Sequence, residues 1–541
     1  MAASEHLARP AIAIRTLLAA ALTSAVIALA ATAVAVADET PATDSDVVVI
    51  GGTPGGVAAA VVAARLGHSV TLVEHHARIG GMAASGLGWS DIEDRRLVQG
   101  LFREFVDRVK DHYVAAHGPG SPQVDLCKDG YHYEPKVTES VLRSFVAESP
   151  RITLLTSHAL VDATMNANRP VAVRVRDRRT SDVRTLRGKV FVDATYEGDL
   201  LAATGVAFRL GREPRDEFGE PHAGEIYADL EGRRLGGSGK GDDRLPAYTF
   251  RVVLTDDPAN RVPLAKPPDG YDRTRYLGYL DDLASGRFGT DLFTTVFSVR
   301  QLPNGKVELN MKPKTLGFVF AEENAGYIPG DWSARDRITA RIRDLSLGLL
   351  WFVQTDAAVP EKSRSHASRY GLCRDEFADT GHFPFQLYVR EGRRLVGEYT
   401  LSERNVTEQP GVTSERRHAD AVAVGDYPID SFPTRKRQPG GDFVLLEGYL
   451  GMLHGITRPY QYPYRIMVPK LVDGLIAPVP ASATHVAFSA IRMEPTWMAL
   501  GQAAGVAAHL AITGGTEIRG VPISDLQRIL REQGAVLDLP E

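Results

Sequence analysis

The most regular hydrophobic pattern of the chain lies in residues 46–82. Residues 46–50 end in an unbroken run of β-branched residues, typical of a strand buried on both faces. A glycine-rich turn follows at residues 51–56, and the alanine- and valine-rich stretch behind it predicts a helix to about Leu66. Residues 69–73 predict a second strand, which ends at Glu74. This order of elements predicts a βαβ unit in an α/β protein.

The turn and the acid after the second strand form the arrangement that binds a dinucleotide. The turn consists of Gly51, Gly52, Thr53, Pro54, Gly55 and Gly56. Such a turn directs backbone N–H groups and a helix dipole at a diphosphate, while the Glu74 carboxylate accepts hydrogen bonds from a ribose diol. Thr53 stands where the usual motif has its second glycine, and we expect its hydroxyl near a phosphate. The alternative is a structural turn that binds no ligand.

The residues after Glu74 favour FAD over a nicotinamide dinucleotide. Arg78, Gly80, Gly81, Met82 and Ser85 resemble the loop that contacts the second phosphate and the ribityl chain in FAD enzymes with a glutathione-reductase-like nucleotide domain. Residues 80–86 contain no histidine, the residue to which fumarate-reductase relatives attach flavin covalently at this loop. We therefore expect non-covalent FAD.

Further elements follow from the same patterns. Helices are expected at residues 97–110 and 136–147, a strand at 153–156, and a hairpin formed by 171–175 and 183–186. Residues 189–195 predict a further buried strand. The resemblance to FAD enzymes implies that this strand returns to the sheet edge and that its end, Asp193, Ala194 and Thr195, comes close to the cofactor. In the alternative interpretation, Thr195 or Asp199 caps the next helix.

The middle of the chain carries no dinucleotide signal. Residues 248–254 and 294–299 predict strands, and residues 333–352 and 384–398 predict helices. We therefore expect a nucleotide-binding domain in two parts, residues 46–211 and 443–541, with a substrate domain at 212–442 inserted between them. No spacing of metal ligands is present in the sequence.

The C-terminal part returns to nucleotide-domain chemistry. Residues 474–480 predict a strand and turn, and a helix follows in which Pro495 suits the first turn. Its N-terminus, with Pro495, Thr496 and Met498, is expected to face the flavin and stabilise negative charge on the reduced ring. Small residues at Gly501 and Gly505 would allow close packing; the alternative is an ordinary packed helix.

The net charge, the cysteines and the N-terminal sequence limit the possible partners and the localisation of the protein. A net charge of −5 without a basic block argues against nucleic acid as a partner. Cys127 and Cys373 form either one bridge or two separate buried thiols. Residues 1–37 combine arginines, an apolar run and an A-x-A site at Ala37, which predicts a signal peptide, with an uncleaved membrane anchor as the alternative. Residues 38–45 are interpreted as a linker.

Several stretches resemble one family across nearly the whole mature chain. They are VVVIGGTPGGVAAA, IGGMAASGLG, VFVDATYEGDL with GREPRDEFGE, AYTFRVVLTDDPANRVP, FQLYVREGRRLVGEY, YPYRIMVP and ASATHVAFSAIRMEPTWMALGQAAG. The chain resembles bacterial FAD-dependent oxidoreductases, sometimes labelled xanthan-lyase-like, which are distant relatives of fumarate reductase flavoproteins. The resemblance implies an α/β, Rossmann-type FAD domain of glutathione-reductase type with an inserted α+β domain, non-covalent FAD and a redox role.

Four residues are candidates for catalysis. Arg390 and Arg394, four apart on the predicted helix, could grip a carboxylate or pair with Glu391 or Glu398. His485 could serve as a base or simply bond a backbone carbonyl. Arg492 could neutralise the reduced flavin or pair with Glu494.

These features together predict an exported FAD-dependent oxidoreductase. It would exchange a hydride or electron pair with a small or carbohydrate-like substrate, and pass electrons to an acceptor that the sequence does not identify. A flavin-dependent lyase or isomerase, and a non-catalytic binding protein with this fold, are the alternatives.

Overall fold

The computed structural model describes residues 40–436, 438–440 and 443–540. The predicted signal peptide and its cleavage site lie outside these residues. The strands are β1 Thr40–Ile50, β2 Val70–Val73, β3 Ile152–Leu155, β4 His158–Asn166, β5 Arg169–Asp177, β6 Val183–Asp193, β7 Phe208–Arg209, β8 Tyr227–Ala228, β9 Arg234–Gly236, β10 Val252–Thr255, β11 Arg261–Val262, β12 Phe297–Leu302, β13 Lys306–Met311, β14 Gly371–Cys373, β15 Arg394–Leu395, β16 Ala421–Gly425, β17 Gln438–Gly440, β18 Phe443–Glu447, β19 Tyr460–Pro463 and β20 Leu475–Ile476.

The helices are α1 Pro54–Arg65, α2 Leu101–His117, α3 Pro122–Leu126, α4 Pro135–Ala147, α5 Asp199–Ala203, α6 Arg215–Phe218, α7 Gly278–Ala284, α8 Leu292–Val296, α9 Trp332–Thr355, α10 Glu361–Ala367, α11 Glu403–Val406, α12 His485–Ile491, α13 Glu494–Gly514 and α14 Ile523–Glu532. Short 3-10 turns lie at Lys128–Gly130, Arg273–Tyr276, Ala378–Thr380, Tyr464–Met467 and Ile518–Gly520.

A mainly parallel sheet organises the nucleotide-binding part. Its strand order is β3-β2-β1-β6-β5-β4, with β20 also paired to β6. Strands β1, β2, β3, β6 and β20 run parallel, and β5 runs antiparallel to both of its neighbours, β6 and β4. The central strands are apolar and buried because helices cover the sheet. The sheet confirms the predicted α/β, Rossmann-type class.

Two predictions about this sheet need correction. Residues 40–45, expected in a linker, belong to β1, where Thr40 pairs with Arg184 and Ser45 with Gly188. Strand β6, expected at the sheet edge, lies between β1 and β5. Residues 40–45 join β1 because β6 is long enough to offer backbone partners to polar residues that form no hydrophobic pattern. Strand β6 is internal because the β4–β5 hairpin pairs along its other edge.

A second, antiparallel sheet lies within the predicted substrate domain. Its order is β11-β14-β10-β13-β12, and helices α7–α10 accompany it, as expected for an α+β insertion. Strand β18 pairs with β8, and β19 pairs with β16, so the predicted boundary at residue 442 separates paired strands. The chain rejoins the nucleotide-binding sheet at β20, later than predicted.

The predicted helix at residues 384–398 is wrong. This segment is extended, and long-range backbone bonds hold it: Tyr388 N–H donates to the Thr249 carbonyl, Arg393 to Glu197, and Leu395 to Pro480. These partners lie on three other segments, so tertiary contacts override the helical pattern. The predicted strand at 294–299 is also split between α8 and β12.

Two smaller findings concern covalent and membrane chemistry. Cys127 and Cys373 are both buried and unpaired, which decides between the two alternatives for the cysteines. No helix in residues 40–436, 438–440 and 443–540 combines the length and apolarity that crossing a bilayer requires.

Candidate functional site

The glycine turn forms an N-terminal cap on α1. The Thr53 hydroxyl accepts from Gly56 N–H (3.2 Å) and donates to the Ala194 carbonyl (2.8 Å), so it is already engaged rather than free for a phosphate. No acceptor in the described chain takes the N–H groups of Thr53 and Gly55. These two N–H groups, at the positive end of the helix dipole, are the ones available to an anion.

Glu74 lies at the end of β2 and faces the same turn. One carboxylate oxygen accepts from Gly52 N–H (2.7 Å), and the other accepts from His76 N–H (2.7 Å) and lies 3.0 Å from His75 Nδ1. Burial opposes ionisation, but His75 and the hydrogen bonds outweigh it and hold the pKa of Glu74 at about 2. The acid is therefore an anion that can accept further bonds from hydroxyl groups.

Helices α1 and α13 pack against each other at backbone distance. A Cβ on Gly501 would lie 2.1 Å from the Gly55 carbonyl oxygen, and one on Gly505 would lie 2.8 Å from that of Ala59. Because both contacts advance by four residues on each helix, the helices run in the same direction. Gly501 is the eighth residue of α13 and Gly55 is the second residue of α1, so α13 begins six residues, about 9 Å, before α1 along their common direction. Both positive dipole ends point the same way. The predicted close packing at Gly501 and Gly505 is confirmed.

Tyr196 connects the second glycine loop to the start of α13. Its hydroxyl donates to Glu494 (2.5 Å) and accepts from Met82 N–H (3.0 Å), and the same oxygen lies over Gly81. Its ring lies 5.1 Å from that of Trp497. The predicted loop and helix therefore meet, but the Met82 N–H is already bonded to protein.

The other predicted contacts of this loop are engaged within the protein. Gly80 N–H donates to the Gly52 carbonyl (2.7 Å), which joins the two glycine turns. Arg78 pairs with Glu139 (2.6 Å) and Asp379 (2.5 Å), so two carboxylates already neutralise it. Ser85 Oγ accepts from Gln386 N–H (2.8 Å). Cofactor contacts by Arg78 and Ser85 stay predictions.

The end of β6 caps the next helix. Asp193 accepts from the N–H and hydroxyl of Thr195 (3.0 and 2.7 Å) and from Leu201 N–H (2.9 Å), while Thr195 Oγ accepts from Asp199 N–H (2.9 Å). The capping interpretation is confirmed. Ala194 also contacts the first glycine turn through its carbonyl oxygen, and the expected position of this strand end near the cofactor stays a prediction.

The start of α13 has the expected form. Pro495 occupies the first turn, and the Thr496 hydroxyl lies 3.2 Å from the Tyr462 hydroxyl. Met498 is buried. Glu494 is buried in the same turn, and burial raises its pKa to about 8 although the Tyr196 hydrogen bond acts in the opposite direction.

Glu494 makes stability depend on pH. Because its pKa in the folded state exceeds the unfolded value of 4.5, its contribution is complete below pH 4.5 and is lost as pH rises through 8. We expect Glu494→Gln to flatten the fall in stability between pH 6 and 9. Below pH 8, the variant should lose up to about 1.4 kcal/mol less free energy of unfolding per pH unit than the wild type, and its melting temperature should fall less. Thermal unfolding at several pH values measures this. Parallel curves for both proteins would show that Glu494 is ionised when folded.

His485 is held by a carboxylate rather than by a backbone carbonyl. It begins α12, which Thr484 caps, and it is buried. Its Nδ1 lies 2.6 Å from Glu391, and Glu391 in turn pairs with Arg394 (3.0 Å). A carboxylate on Nδ1 fixes the ring and leaves Nε2 for proton transfer. Arg394 also pairs with Glu213 (3.0 Å), so it positions Glu391 instead of gripping a ligand.

The structure separates Arg390 from Arg394. Arg390 lies in a different buried cluster and donates to the Ala247 carbonyl (2.5 Å) and the Thr249 hydroxyl (2.9 Å). Arg492 donates to the Tyr388 hydroxyl (2.7 Å) and lies 3.4 Å from Asp430, not from Glu494 as the alternative interpretation expected.

A cavity of about 1000 Å³ lies between the β4–β5 hairpin and the start of α9, and Glu74 is not among its lining residues. Trp332 lines it, and its ring lies 4.6 Å from that of His75. Arg178 lies 4.9 Å over the Trp332 ring. Arg335 also lies 5.0 Å from the Trp332 ring, so this ring joins the cavity wall to His75, the neighbour of Glu74, and is flanked by protein side chains.

Several of these residues were not identified from the sequence. Tyr196 directly follows the predicted site residue Thr195, and Glu494 directly precedes the predicted site residue Pro495. Their position in the sequence could therefore have identified them as site residues. Glu391 was considered only as an ion-pair partner of arginine. Trp332 stands in a helix far along the chain, and no local pattern connects it with Glu74.

The chain matches the family model described as FAD dependent oxidoreductase over residues 46–530. It belongs to this family. The FAD-dependent oxidoreductase assignment establishes FAD as the cofactor and a flavoenzyme as the class of protein. The residues present fit the nucleotide half of FAD, because unpartnered N–H groups and a buried carboxylate occur together where the diphosphate and ribose are expected.

Solved structures of flavoproteins show distant likeness to the FAD-dependent oxidoreductase described here. A geranylgeranyl bacteriochlorophyll reductase-like protein from Thermoplasma acidophilum is 12% identical, with 91% of this chain and 84% of that chain covered and a TM-score of 0.36. The glycerol-3-phosphate dehydrogenase from Bacillus halodurans, complexed with FAD, is 17% identical over 35% of this chain and 44% of its own, with a TM-score of 0.22.

A flavocytochrome c3 fumarate reductase is 15% identical over 39% of this chain and 50% of its own, with a TM-score of 0.22. The chain thus spans about half or less of the length of the dehydrogenase and the fumarate reductase. No curated protein matches the chain. The family match therefore carries the assignment.

Proposed function

We propose that this protein is an exported oxidoreductase that exchanges a hydride or electron pair between a small or carbohydrate-like substrate and non-covalent FAD. The observation that carries the proposal is the parallel, staggered packing of α1 and α13, in which the positive end of α1 lies next to Glu74 and that of α13 lies about 9 Å further along. Two positive dipole ends suit the diphosphate and the electron-rich reduced flavin. Bound FAD supplies the two-electron acceptor.

The residues of this chain have separate roles in the proposal. Thr53 and Gly55 N–H groups bind the diphosphate, and Glu74 accepts from the ribose. His485 accepts the substrate proton at Nε2, and Glu391 holds the ring in the required orientation. Arg394 fixes Glu391.

A visible spectrum of the purified protein tests the proposal. We expect flavin absorbance in the purified or FAD-reconstituted protein, and bleaching under anaerobic conditions when a substrate among sugars, 2-hydroxy acids or dicarboxylates is added. Turnover without net bleaching would indicate a lyase or isomerase instead. A folded, colourless protein that takes up no FAD would refute the proposal.

Glu74→Gln is expected to weaken FAD binding by about tenfold or more, because a charged acceptor for the ribose hydroxyls is lost. Glu532→Gln, at the exposed end of α14, is the matched control and should keep wild-type affinity. Quenching of FAD fluorescence measures both affinities. Equal affinities for the two variants would exclude a ribose contact at Glu74.

Export is the part of the proposal that rests on the N-terminal sequence. If the signal peptide is cleaved after Ala37, N-terminal sequencing of the protein secreted by its host will begin at Asp38. An intact N-terminus in the membrane fraction would indicate the anchor instead.

A further inference from the structure

Three buried arginines surround one tyrosine ring beside the candidate site. The guanidinium carbons of Arg251, Arg390 and Arg492 lie 5.4, 4.4 and 5.6 Å from the centroid of Tyr388. All three residues are at most 5% exposed. We call Arg251, Arg390 and Arg492 the arginine cluster.

Two members of the arginine cluster have carboxylate partners. Arg251 pairs with Glu308 at 2.6 Å, and Arg492 lies 3.4 Å from Asp430. Arg390 has none within 4.0 Å among the described residues, and its Nε–H has no acceptor there. Its two hydrogen bonds go to the uncharged Ala247 and Thr249.

The surroundings do not balance the charge of Arg390. The other ion pair that faces the cluster, Arg300 with Asp91 (3.5 Å), contributes equal charges. A guanidinium does not give up its proton in a protein, and an unpaired buried charge is costly. The Phe432 and Tyr388 rings, 3.5 and 4.4 Å from the guanidinium carbon, compensate only part of that cost.

The cluster borders both segments that are expected to hold the flavin. The Arg251 carbonyl packs against Gly86, directly after the Ser85 loop, and Arg492 lies two residues before α13. An anion bound by Arg390 would therefore sit where a flavin substrate reacts.

We propose that the arginine cluster binds the carboxylate of a small organic acid substrate. Arg390 presents its unpartnered Nε edge, which suits in-plane, bidentate recognition of a carboxylate while Phe432 stays on the ring face. The substrate class is an acid whose carboxylate lies close to the carbon that is oxidised or reduced. This inference rests on the proposed function for the identity of the reaction, but the binding itself is tested without turnover.

Calorimetric titration of the FAD-loaded protein tests carboxylate binding. Malonate is the probe, and malonamide is its uncharged counterpart. We expect malonate to bind and malonamide not to bind. Arg390→Gln should weaken malonate binding about tenfold or more, whereas Arg528→Gln on the exposed face of α14 should leave it unchanged. Arg390→Lys should give an intermediate affinity, since it keeps the charge but loses the fork.

Melting temperatures separate a binding residue from a structural one. Without malonate, Arg390→Gln should melt at or above the wild-type temperature, because it removes an unbalanced charge; malonate should raise the melting temperature of the wild type but not of the variant. Equal binding of malonate and malonamide, retained malonate affinity in Arg390→Gln, or failure of that variant to fold would each overturn the inference. The FAD content of every sample is measured separately, so loss of the proposed function shows as missing flavin.

Discussion

Replacing Lys306 with methionine is expected to lower the free energy of unfolding by about 3–5 kcal/mol. The Lys306 ammonium is fully buried and lies 2.7 Å from Glu134, 2.9 Å from Asp375 and 2.6 Å from Glu376. Methionine fills a similar volume but leaves these carboxylates facing one another without a cation. Urea unfolding, followed by fluorescence, measures the loss.

Lys110→Met is the control for this substitution. Lys110 pairs with Asp129 at 2.9 Å, but both side chains are largely solvent-exposed, so we expect almost no change in stability. The Lys306→Met effect should shrink at low pH, where the carboxylates are protonated. Burial raises the pKa of Glu376 to about 7, so this acid takes up its proton first. Wild-type stability of Lys306→Met at neutral pH would show that the carboxylates are balanced in another way.

Gly501→Ala is expected to cost about 3 kcal/mol or more and to reduce FAD retention in the same protein. A methyl group at this position would lie 2.1 Å from the Gly55 carbonyl oxygen, and backbone cannot move aside as a side chain does. Helix α13 must therefore shift away from α1 at the turn that is proposed to bind the diphosphate. Thermal unfolding and the ratio of flavin to protein absorbance report the two effects.

Gly514→Ala provides the matched control on the same helix. A methyl group there meets only the Thr516 side chain, at 3.7 Å, so alanine should stabilise α13 slightly through its helix propensity. Gly501→Ala and Gly514→Ala should thus change stability in opposite directions. If both variants stabilise, the two helices do not pack at backbone distance.

The sequence was most informative where function depends on local geometry. The first glycine turn, Glu74 and the start of α13 are each set by residues adjacent in the chain, so pattern and turn chemistry were sufficient. The segment at residues 384–398 shows the opposite case. Its backbone partners, Thr249, Glu197 and Pro480, come from distant segments, and no local pattern contains them.

Side-chain pairing was the other part that the sequence could not supply. Arg390 and Arg394 looked equivalent on a helix, yet within the described part of the chain Arg394 pairs with two glutamates and Arg390 pairs with none. The difference depends on the segment before β10, which holds Ala247 and Thr249, and on the loop before α6, which holds Glu213. Charge balance in a buried cluster is a property of the assembled protein.

The parallel contact between α1 and α13 has a consequence for biosynthesis. Gly55 belongs to one of the earliest elements to leave the ribosome, whereas Gly501 belongs to one of the last. A nascent chain that ends before α13 lacks the helix that packs against the glycine turn proposed to bind the diphosphate. Flavin capture would then follow release of the finished polypeptide, and yellow colour would report a chain intact to its C-terminal helices.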